Sequence, residues 1–217
     1  MKRDKIPLNM YQLCFAAIFI IFSSVPLSKG FNSGRMRVKS SVGSGSISSL
    51  RMSLVTHFEE VVVQTNDGVS VHDITEEIAA IVGKTGCEEG LVTVLSKHST
   101  VGISINEMEP RMVDDIRQFF LTMVDPNHPW LHNDLDYRVG PPGYEGGDEA
   151  WREMRRTQPV NAHSHLIAML LGTSESVPIS KGKMQKGTFQ NILVIEADGF
   201  QKKKRTVCVQ VMGKSRD

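Results

Sequence analysis

The chain has 217 residues, a length that fits one domain of ordinary size, and its formal net charge of +1 excludes little by itself. The charges are unevenly placed: residues 1–52 hold eight Lys or Arg and one acid, whereas the rest of the chain holds 17 basic and 23 acidic residues. Such a body is a poor general binder of nucleic acid, because neutralising phosphates requires clustered Lys and Arg. We therefore expect no nucleic-acid partner.

The first 30 residues are typical of a signal peptide. A basic start precedes the ten apolar residues 13–22, which are too few to span a bilayer, and small residues follow at Ser28 and Gly30. Residues 31–52 hold seven Ser, four basic residues and no acid, which is a transit-peptide composition. These features predict a bipartite presequence that leads to a plastid. The alternative is the secretory pathway, with residues 31–52 as a disordered linker. In both cases no stable membrane insertion is expected once the presequence is removed.

Residues 53–217 are predicted to form a single domain that begins with a Val-rich strand at residues 58–65. The turn at residues 66–68 then predicts a hairpin, in which the VSVH segment pairs back on that strand. Asp73 is placed to cap a first helix, whose apolar side chains share one face: Ile74, Ile78 and Ile81. Two more predicted strands, around residues 91–98 and 101–107, lead to a second helix that starts at Pro110.

The segment 125–159 is rich in Pro and Gly and contains both tryptophans, Trp130 and Trp151. A loop of this length inside a compact domain is usually functional or disordered. The two tryptophans favour a packed lid, and residues 148–156 predict a short helix within it.

The C-terminal part predicts a helix at residues 162–171, followed by two or three antiparallel strands with a hairpin around Asp198 and Gly199. Strands and helices do not alternate regularly along the chain. The sequence therefore predicts an α+β fold with a mainly antiparallel sheet and about three helices.

The chain contains no Walker loop, dinucleotide fingerprint, HExxH or GxSxG motif. Candidates for chemistry are scattered histidines and acids, namely His98, Glu107, Asp115, His132, His163, His165 and Glu196. Each has a plain structural alternative; for example, an acid such as Glu107 suits the start of a helix. The basic run at residues 202–205 is predicted to be a solvated hairpin tip.

His163 and His165 could clasp one metal ion only on a strand, where residues two apart share a face. Asn161 is a good N-cap, and the apolar spacing that follows it is helical. On a helix the two rings point about 200° apart. The sequence therefore predicts that at most one of the two histidines faces a site.

Three segments in this order resemble the YjbQ family, which is also labelled a secondary thiamine-phosphate synthase family. They are HSTVGISINEMEP, the long stretch from NAHSHL to EADG, and RTVCVQVMG. The resemblance covers nearly all of the body. It implies an α+β fold with a β-sandwich-like core, and assembly as a homotrimer.

Residue by residue, the resemblance implies catalytic roles for His98, Glu107 and His165. The implied substrate-binding residues are Ser99, Thr100, Asn106, Asn161 and Gln190. We also expect a divalent metal, either Mg²⁺ or a transition metal such as Zn²⁺, with His98, His132 and His165 as candidate ligands; the histidines could instead donate hydrogen bonds to phosphate or carry protons. Two departures stand out: Phe189 replaces the family's usual Trp, and GFQKKKR replaces a turn that contains Pro and Arg.

The family label implies a transferase that joins a hydroxymethylpyrimidine diphosphate to a thiazole phosphate and releases diphosphate. A small phosphorylated substrate would then be the partner. Mg²⁺ prefers oxygen ligands, so a three-histidine set suits a transition metal better. Two other hypotheses stay open: a metal-dependent hydrolase with Glu107 as general base, and a non-catalytic trimer that binds a small metabolite.

Overall fold

The computed structural model describes residues 52–216. Residues 1–51, on which the signal-peptide and transit-peptide predictions rest, lie outside this part. None of the helices between residues 52 and 216 is long and apolar enough to cross a membrane.

Five strands form the larger sheet, in the order β1, β8, β3, β5, β6, with every neighbouring pair antiparallel. Their bounds are Met52–Gln64 (β1), Glu89–Ser96 (β3), Ser174–Ser180 (β5), Lys183–Met184 (β6) and Lys204–Arg216 (β8). Alternate side chains face the core, as the period of two in a strand requires. In β8 the inward set is Val207, Val209 and Val211, each fully buried.

Three strands form the smaller antiparallel sheet, in the order β2 (Ser70–Asp73), β7 (Asn191–Glu196), β4 (Val101–Asn106). The central strand β7 is buried on both faces, which explains its uninterrupted apolar run. Ile192 and Val194 face the larger sheet, and Leu193 and Ile195 face the helices on the other side.

The helices are α1 (Thr75–Thr85), α2 (Pro110–Met123), α3 (Gly147–Arg156) and α4 (Ala162–Leu171), with a 3-10 turn at Leu131–Asn133. Helix α1 packs into the core between the two sheets, while α2 and α4 contribute to the core that covers the outer face of the smaller sheet. The predicted α+β fold with a mainly antiparallel core is confirmed, with four helices where about three were expected.

Helix α1 begins one residue later than predicted, since Ile74 and not Asp73 occupies its N-cap position. The Asp73 carboxylate accepts a hydrogen bond from the backbone N–H of Thr75, with 2.9 Å between Oδ1 and N. Gly86 ends the helix in the left-handed conformation, with a φ of 63° that suits glycine.

Two predicted hairpins are wrong. Strand β2 does not pair with β1, because it joins β7 in the other sheet, and β1 pairs with β8. Likewise β7 and β8 lie in different sheets, so the chain around Asp198 and Gly199 crosses between sheets. The chain also crosses between the sheets at residues 66–68, from β1 to β2. The two crossings contact each other: the Gly68 N–H donates to the Gly199 carbonyl at 3.1 Å. A turn signal indicates a change of direction but not the strand that the chain joins next.

The segment between α2 and α4 is held by its own hydrogen bonds. The indole N–H of Trp130 donates to the Asp125 carbonyl at 2.9 Å, and that of Trp151 donates to the Arg138 carbonyl at 3.0 Å. The short helix predicted at residues 148–156 is observed as α3.

Candidate functional site

A cavity of about 400 Å³ opens where three parts of the chain meet. These parts are the turn between β3 and β4, the start of α4, and the crossing from β7 to β8. The polar side chains that line the cavity are Lys97, His98, Ser99 and Thr100 from the first part, Asn161 and His165 from the second, and Asp198, Lys203 and Arg205 from the third. The predicted residues His98, Ser99, Thr100, Asn161 and His165 are therefore brought together.

The buried carboxylate of Glu196 fixes the orientation of the Arg205 side chain. Its Nε donates to Glu196 Oε2, and Glu196 has no solvent-exposed surface. Arg205 Nη2 donates to the Thr100 hydroxyl at 3.2 Å, and that hydroxyl donates to Glu196 Oε1 at 3.2 Å. The backbone N–H of Asp198 also donates to Oε1, at 2.8 Å. These contacts orient the guanidinium and leave further N–H groups of Arg205 at the cavity, because the group has five.

His98 has one ring nitrogen already occupied. Its Nε2 accepts a hydrogen bond from the backbone N–H of Thr206 at 2.9 Å. A neutral ring must then carry its proton on Nδ1, which lies 3.4 Å from Arg205 Nη1. Burial lowers the pKa of His98, the Arg205 charge lowers it further, and Glu196 partly opposes this. His98 is therefore held neutral, with no free lone pair on either nitrogen.

Asp198 connects the start of α4 to the crossing between the sheets. Its Oδ2 accepts from Asn161 Nδ2 at 3.0 Å and from the Lys203 ammonium. Burial raises the pKa of Asp198, but the hydrogen bonds from Lys203 and Asn161 outweigh burial and the net pKa is lowered. The carboxylate is thus ionised and fixes the Lys203 ammonium beside Arg205.

The role predicted for Asn161 as a helix cap belongs to another residue. Asn161 occupies the N-cap position of α4, but its side chain makes no cap hydrogen bond. Instead, Asn133 Oδ1 accepts from the backbone N–H of Ala162 at 2.9 Å. The segment between α2 and α4 therefore supplies the cap of α4 through Asn133. The Asn161 amide is free to donate to Asp198.

His165 and His163 lie on different sides of the start of α4. The His165 ring lines the cavity and packs edge-on against His132, with 4.8 Å between ring centroids. Burial lowers the pKa of His132, as do the nearby Arg138 and His165. His163 does not line this cavity and instead faces a neighbouring one. The prediction that only one of the pair faces the site agrees with this geometry.

The other predicted residues lie at the far end of the smaller sheet. Strand β4 runs from Val101, beside the cavity, to Asn106, so its ends are about 17 Å apart at 3.4 Å per residue. Asn106 Oδ1 accepts from the Glu107 backbone N–H at 2.8 Å, and Gln190 Oε1 accepts from the Gly187 N–H at 2.7 Å. Within one chain these residues therefore do not reach the cavity, and their predicted roles stay predictions.

The three histidines predicted to bind a metal do not form a metal centre within residues 52–216. His98 could act as a ligand only by giving up its hydrogen bond from Thr206. In this part of the chain, no three His, Cys, Asp or Glu side chains converge in a way that could hold a metal ion. The expected divalent metal stays a prediction.

Two cavity residues that matter most come from the basic run at residues 202–205. Lys203 and Arg205 are largely buried, at 18% and 13% side-chain exposure, so a fully solvated hairpin tip is wrong for them. The sequence signal for them is indirect: a buried Glu196 requires a cationic partner, but the sequence does not show which basic residue provides it. Asp115, by contrast, is exposed on α2.

Comparison with known proteins identifies the family. The sequence profile of a family described as UPF0047 protein YjbQ-like matches residues 59–214. The chain belongs to this family. A UPF0047 protein of Methanothermobacter thermautotrophicus is 33% identical over 156 residues, which cover 72% of this chain and 92% of the relative. The UPF0047 protein YugU of Bacillus subtilis is 28% identical, covering 70% of this chain and 96% of the relative.

Solved structures with a similar fold include two archaeal proteins. A YbjQ-like protein of unknown function from Sulfolobus solfataricus has a TM-score of 0.60 and 29% identity, covering 75% of this chain and 99% of that one. A hypothetical protein from Aeropyrum pernix has a TM-score of 0.59 and 30% identity, covering 72% of this chain and 98% of that one.

The predicted thiamine-phosphate synthase activity is wrong as a family assignment. These UPF0047 relatives are not described by any such activity, and the Sulfolobus structure is of a protein of unknown function. The plastid and transit-peptide predictions likewise find no support among these archaeal and bacterial relatives. The residues that carried those two predictions lie outside the described part of the chain.

Proposed function

We propose that this UPF0047 protein binds a small metabolite through an anionic group, such as a phosphate, in the cavity beside Arg205. The observation that carries the proposal is the guanidinium of Arg205, held in one orientation by the buried Glu196 and by Thr100. A planar guanidinium fixed in this way is suited to paired hydrogen bonds with phosphate or carboxylate oxygens.

The neighbouring groups support an anionic ligand. Lys97 and Lys203 place two ammonium groups on the same cavity, and Ser99 adds a hydroxyl. Each of these three cations has an acid partner: Arg205 pairs with the fully buried Glu196, Lys203 pairs with Asp198, and Lys97 pairs with Glu60. Only Glu196 is fully buried, so Arg205 is the cation that is best placed to meet a ligand.

The His165 ring lines the opening of this cavity, so its nitrogens can form hydrogen bonds with a ligand there. The ring of His132 packs against it and restricts its orientation. His98 has a different task, since its Nε2 accepts from the backbone N–H of Thr206 and links the ring to β8.

Calorimetric titration of the full chain with inorganic phosphate tests the proposal. We expect saturable binding that Lys203→Ala weakens by about tenfold or more, since a charge-assisted hydrogen bond contributes about 1.5–3 kcal/mol. Lys202→Ala is the matched control, because Lys202 is adjacent in sequence and exposed but does not line the cavity. Absence of saturable binding, or equal weakening by both variants, would rule the proposal out.

We also propose that copies of the chain associate into a homotrimer through the outer face of the larger sheet. Within the described residues, no helix or strand covers this face. It exposes a group of apolar side chains: Leu54, Phe58, Val62, Leu91, Leu95 and Met212. Apolar patches of this kind on a sheet usually mark an interaction surface.

Sedimentation equilibrium of the full chain tests the assembly. We expect the mass of a trimer for the unaltered chain and a smaller mass for Phe58→Asp. Val139→Asp provides the control, since Val139 is also apolar and is even more exposed than Phe58 but lies in the segment between α2 and α4. A monomer at every concentration would contradict the assembly and leave the binding proposal unaffected.

A further inference from the structure

A second cavity, of about 290 Å³, lies next to the one beside Arg205. Pro159 and Asp198 line both cavities, so the two cavities are adjacent. His165 faces the first cavity and His163 the second. The two cavities therefore form neighbouring compartments on either side of the start of α4.

The second cavity is apolar where the first is cationic. No Lys or Arg side chain lines it. Its side-chain walls are mainly Val69, Leu121, Val160, Ala197 and Phe200. Leu121, Val160 and Phe200 are substantially exposed, so covering them would remove apolar surface from water, which is favourable.

The two polar residues at this cavity have their polar atoms engaged or covered. The Ser164 hydroxyl donates to the Ala197 carbonyl at 2.8 Å and accepts from His163 Nε2 at 3.2 Å. His163 Nδ1 is buried and has no hydrogen-bond partner within the described residues. Asp198 directs Oδ2 to Asn161 and Lys203 on the other side, and its Oδ1 accepts from the Phe200 backbone N–H at 3.4 Å. A ligand in this compartment therefore meets few accessible polar groups.

We propose that the ligand is an organic monophosphate, or a chemically similar anion, that carries an uncharged apolar body. Its anionic group lies beside Arg205 and Lys203, and its apolar body lies across Pro159 against Leu121 and Phe200. This inference rests on the proposed function and adds the class of ligand. Charge complementarity places the anion in the first compartment, and the apolar walls place the rest in the second.

Parallel titrations of the full chain with inorganic phosphate and with phenyl phosphate test the inference, with ionic strength held constant. We expect phenyl phosphate to bind at least tenfold more tightly, which corresponds to about 1.4 kcal/mol. The phenyl ring is the only difference that could add apolar contact, so the ratio of the two dissociation constants measures the second compartment directly.

The Leu121→Ser variant tests whether the apolar body of the ligand lies in the second cavity. We expect this variant to bring phenyl phosphate close to the affinity of inorganic phosphate and to leave inorganic phosphate unchanged. Met123→Ser is the matched control, because Met123 lies on the same helix and is also 40% exposed but does not line the cavity. We expect it to change neither affinity.

The possible failures are distinguishable. Equal affinity for the two probes would overturn the apolar compartment and leave the anion site intact. Tighter phenyl phosphate binding that Leu121→Ser does not reduce, or that Met123→Ser reduces equally, would also overturn it. Failure of both probes to bind would overturn the proposed function together with this inference.

Discussion

Arg205 and Glu196 form an ion pair that joins the two sheets at the base of the cavity. Glu196 ends β7 in the smaller sheet, and Arg205 lies near the start of β8 in the larger sheet. Glu196 is fully buried and its remaining oxygen is satisfied by Thr100 and by the backbone of Asp198. The pair therefore fixes both the junction of the sheets and the orientation of the guanidinium.

Removing one member of this pair should be strongly destabilising, because the other charge would be left in a poorly solvated place. We expect Glu196→Ala to lower the free energy of unfolding by about 3–5 kcal/mol. Urea denaturation monitored by circular dichroism measures it. The exposed pair of Arg156 and Glu153 provides the control: Glu153→Ala should change stability by about 1 kcal/mol or less. Similar losses in the two variants would argue against a structural role for the buried pair.

The two histidines at the start of α4 should differ in their effect on anion binding. His165→Ala removes a ring from the cavity and is expected to weaken phosphate binding severalfold, whereas His163→Ala should leave it nearly unchanged. Calorimetry on both variants measures this difference. The reverse order of effects would show that the orientation of α4 described above is wrong.

The ionisation of Asp198 should make part of the stability depend on pH. Its pKa in the folded chain lies below the ordinary Asp value, so its stabilising contribution is fully present above that value. The contribution is lost as the pH falls through the folded pKa. We expect the stability difference between the unaltered chain and Asp198→Asn to be constant from pH 7 to about 5 and to shrink below about pH 4.

Denaturant titrations of both proteins across this pH range provide the test. A difference that grows as the pH falls would mean that burial dominates and that the folded pKa is raised. That outcome would also mean that no ionised Asp198 carboxylate holds the Lys203 ammonium beside Arg205.

The contact between the two sheet crossings should tolerate no side chain at Gly199. A Cβ there would lie 2.3 Å from the Cα of Gly68, so the backbone would have to move. We expect Gly199→Ala to destabilise the chain and to weaken phosphate binding. Gly83→Ala is the control, because a Cβ at this exposed helical position meets nothing within 4 Å. It should stabilise the chain by about 0.5–1 kcal/mol.

Thermal denaturation with and without phosphate measures both effects of these glycine variants. Equal stability of Gly199→Ala and the unaltered chain would contradict the close approach of the two crossings.

Local patterns predicted the elements better than their pairing. The sequence predicts both turns, at residues 66–68 and at Asp198 and Gly199, but it predicts a hairpin at each. In the structure each carries the chain into the other sheet. Hairpin signals describe only the residues of the turn, whereas the choice of sheet depends on burial against strands that are distant in sequence.

The sequence predicts the candidate site only in part, and the reason is the same. His98 and His165 were found because histidines stand out in a sequence and the family resemblance singled them out. Arg205 was hidden in a basic run that has the composition of a surface turn. Its importance depends on Glu196, nine residues earlier and in the other sheet, which a sequence pattern cannot place beneath it.

A crystal structure of the full chain grown with phosphate tests the central claim most directly. We predict one phosphate per chain in the cavity, with its oxygens about 2.7–3.0 Å from Arg205 nitrogens and with Lys203 alongside. An anion found instead at the arginines of α3, or an empty cavity at saturating phosphate, would contradict the account.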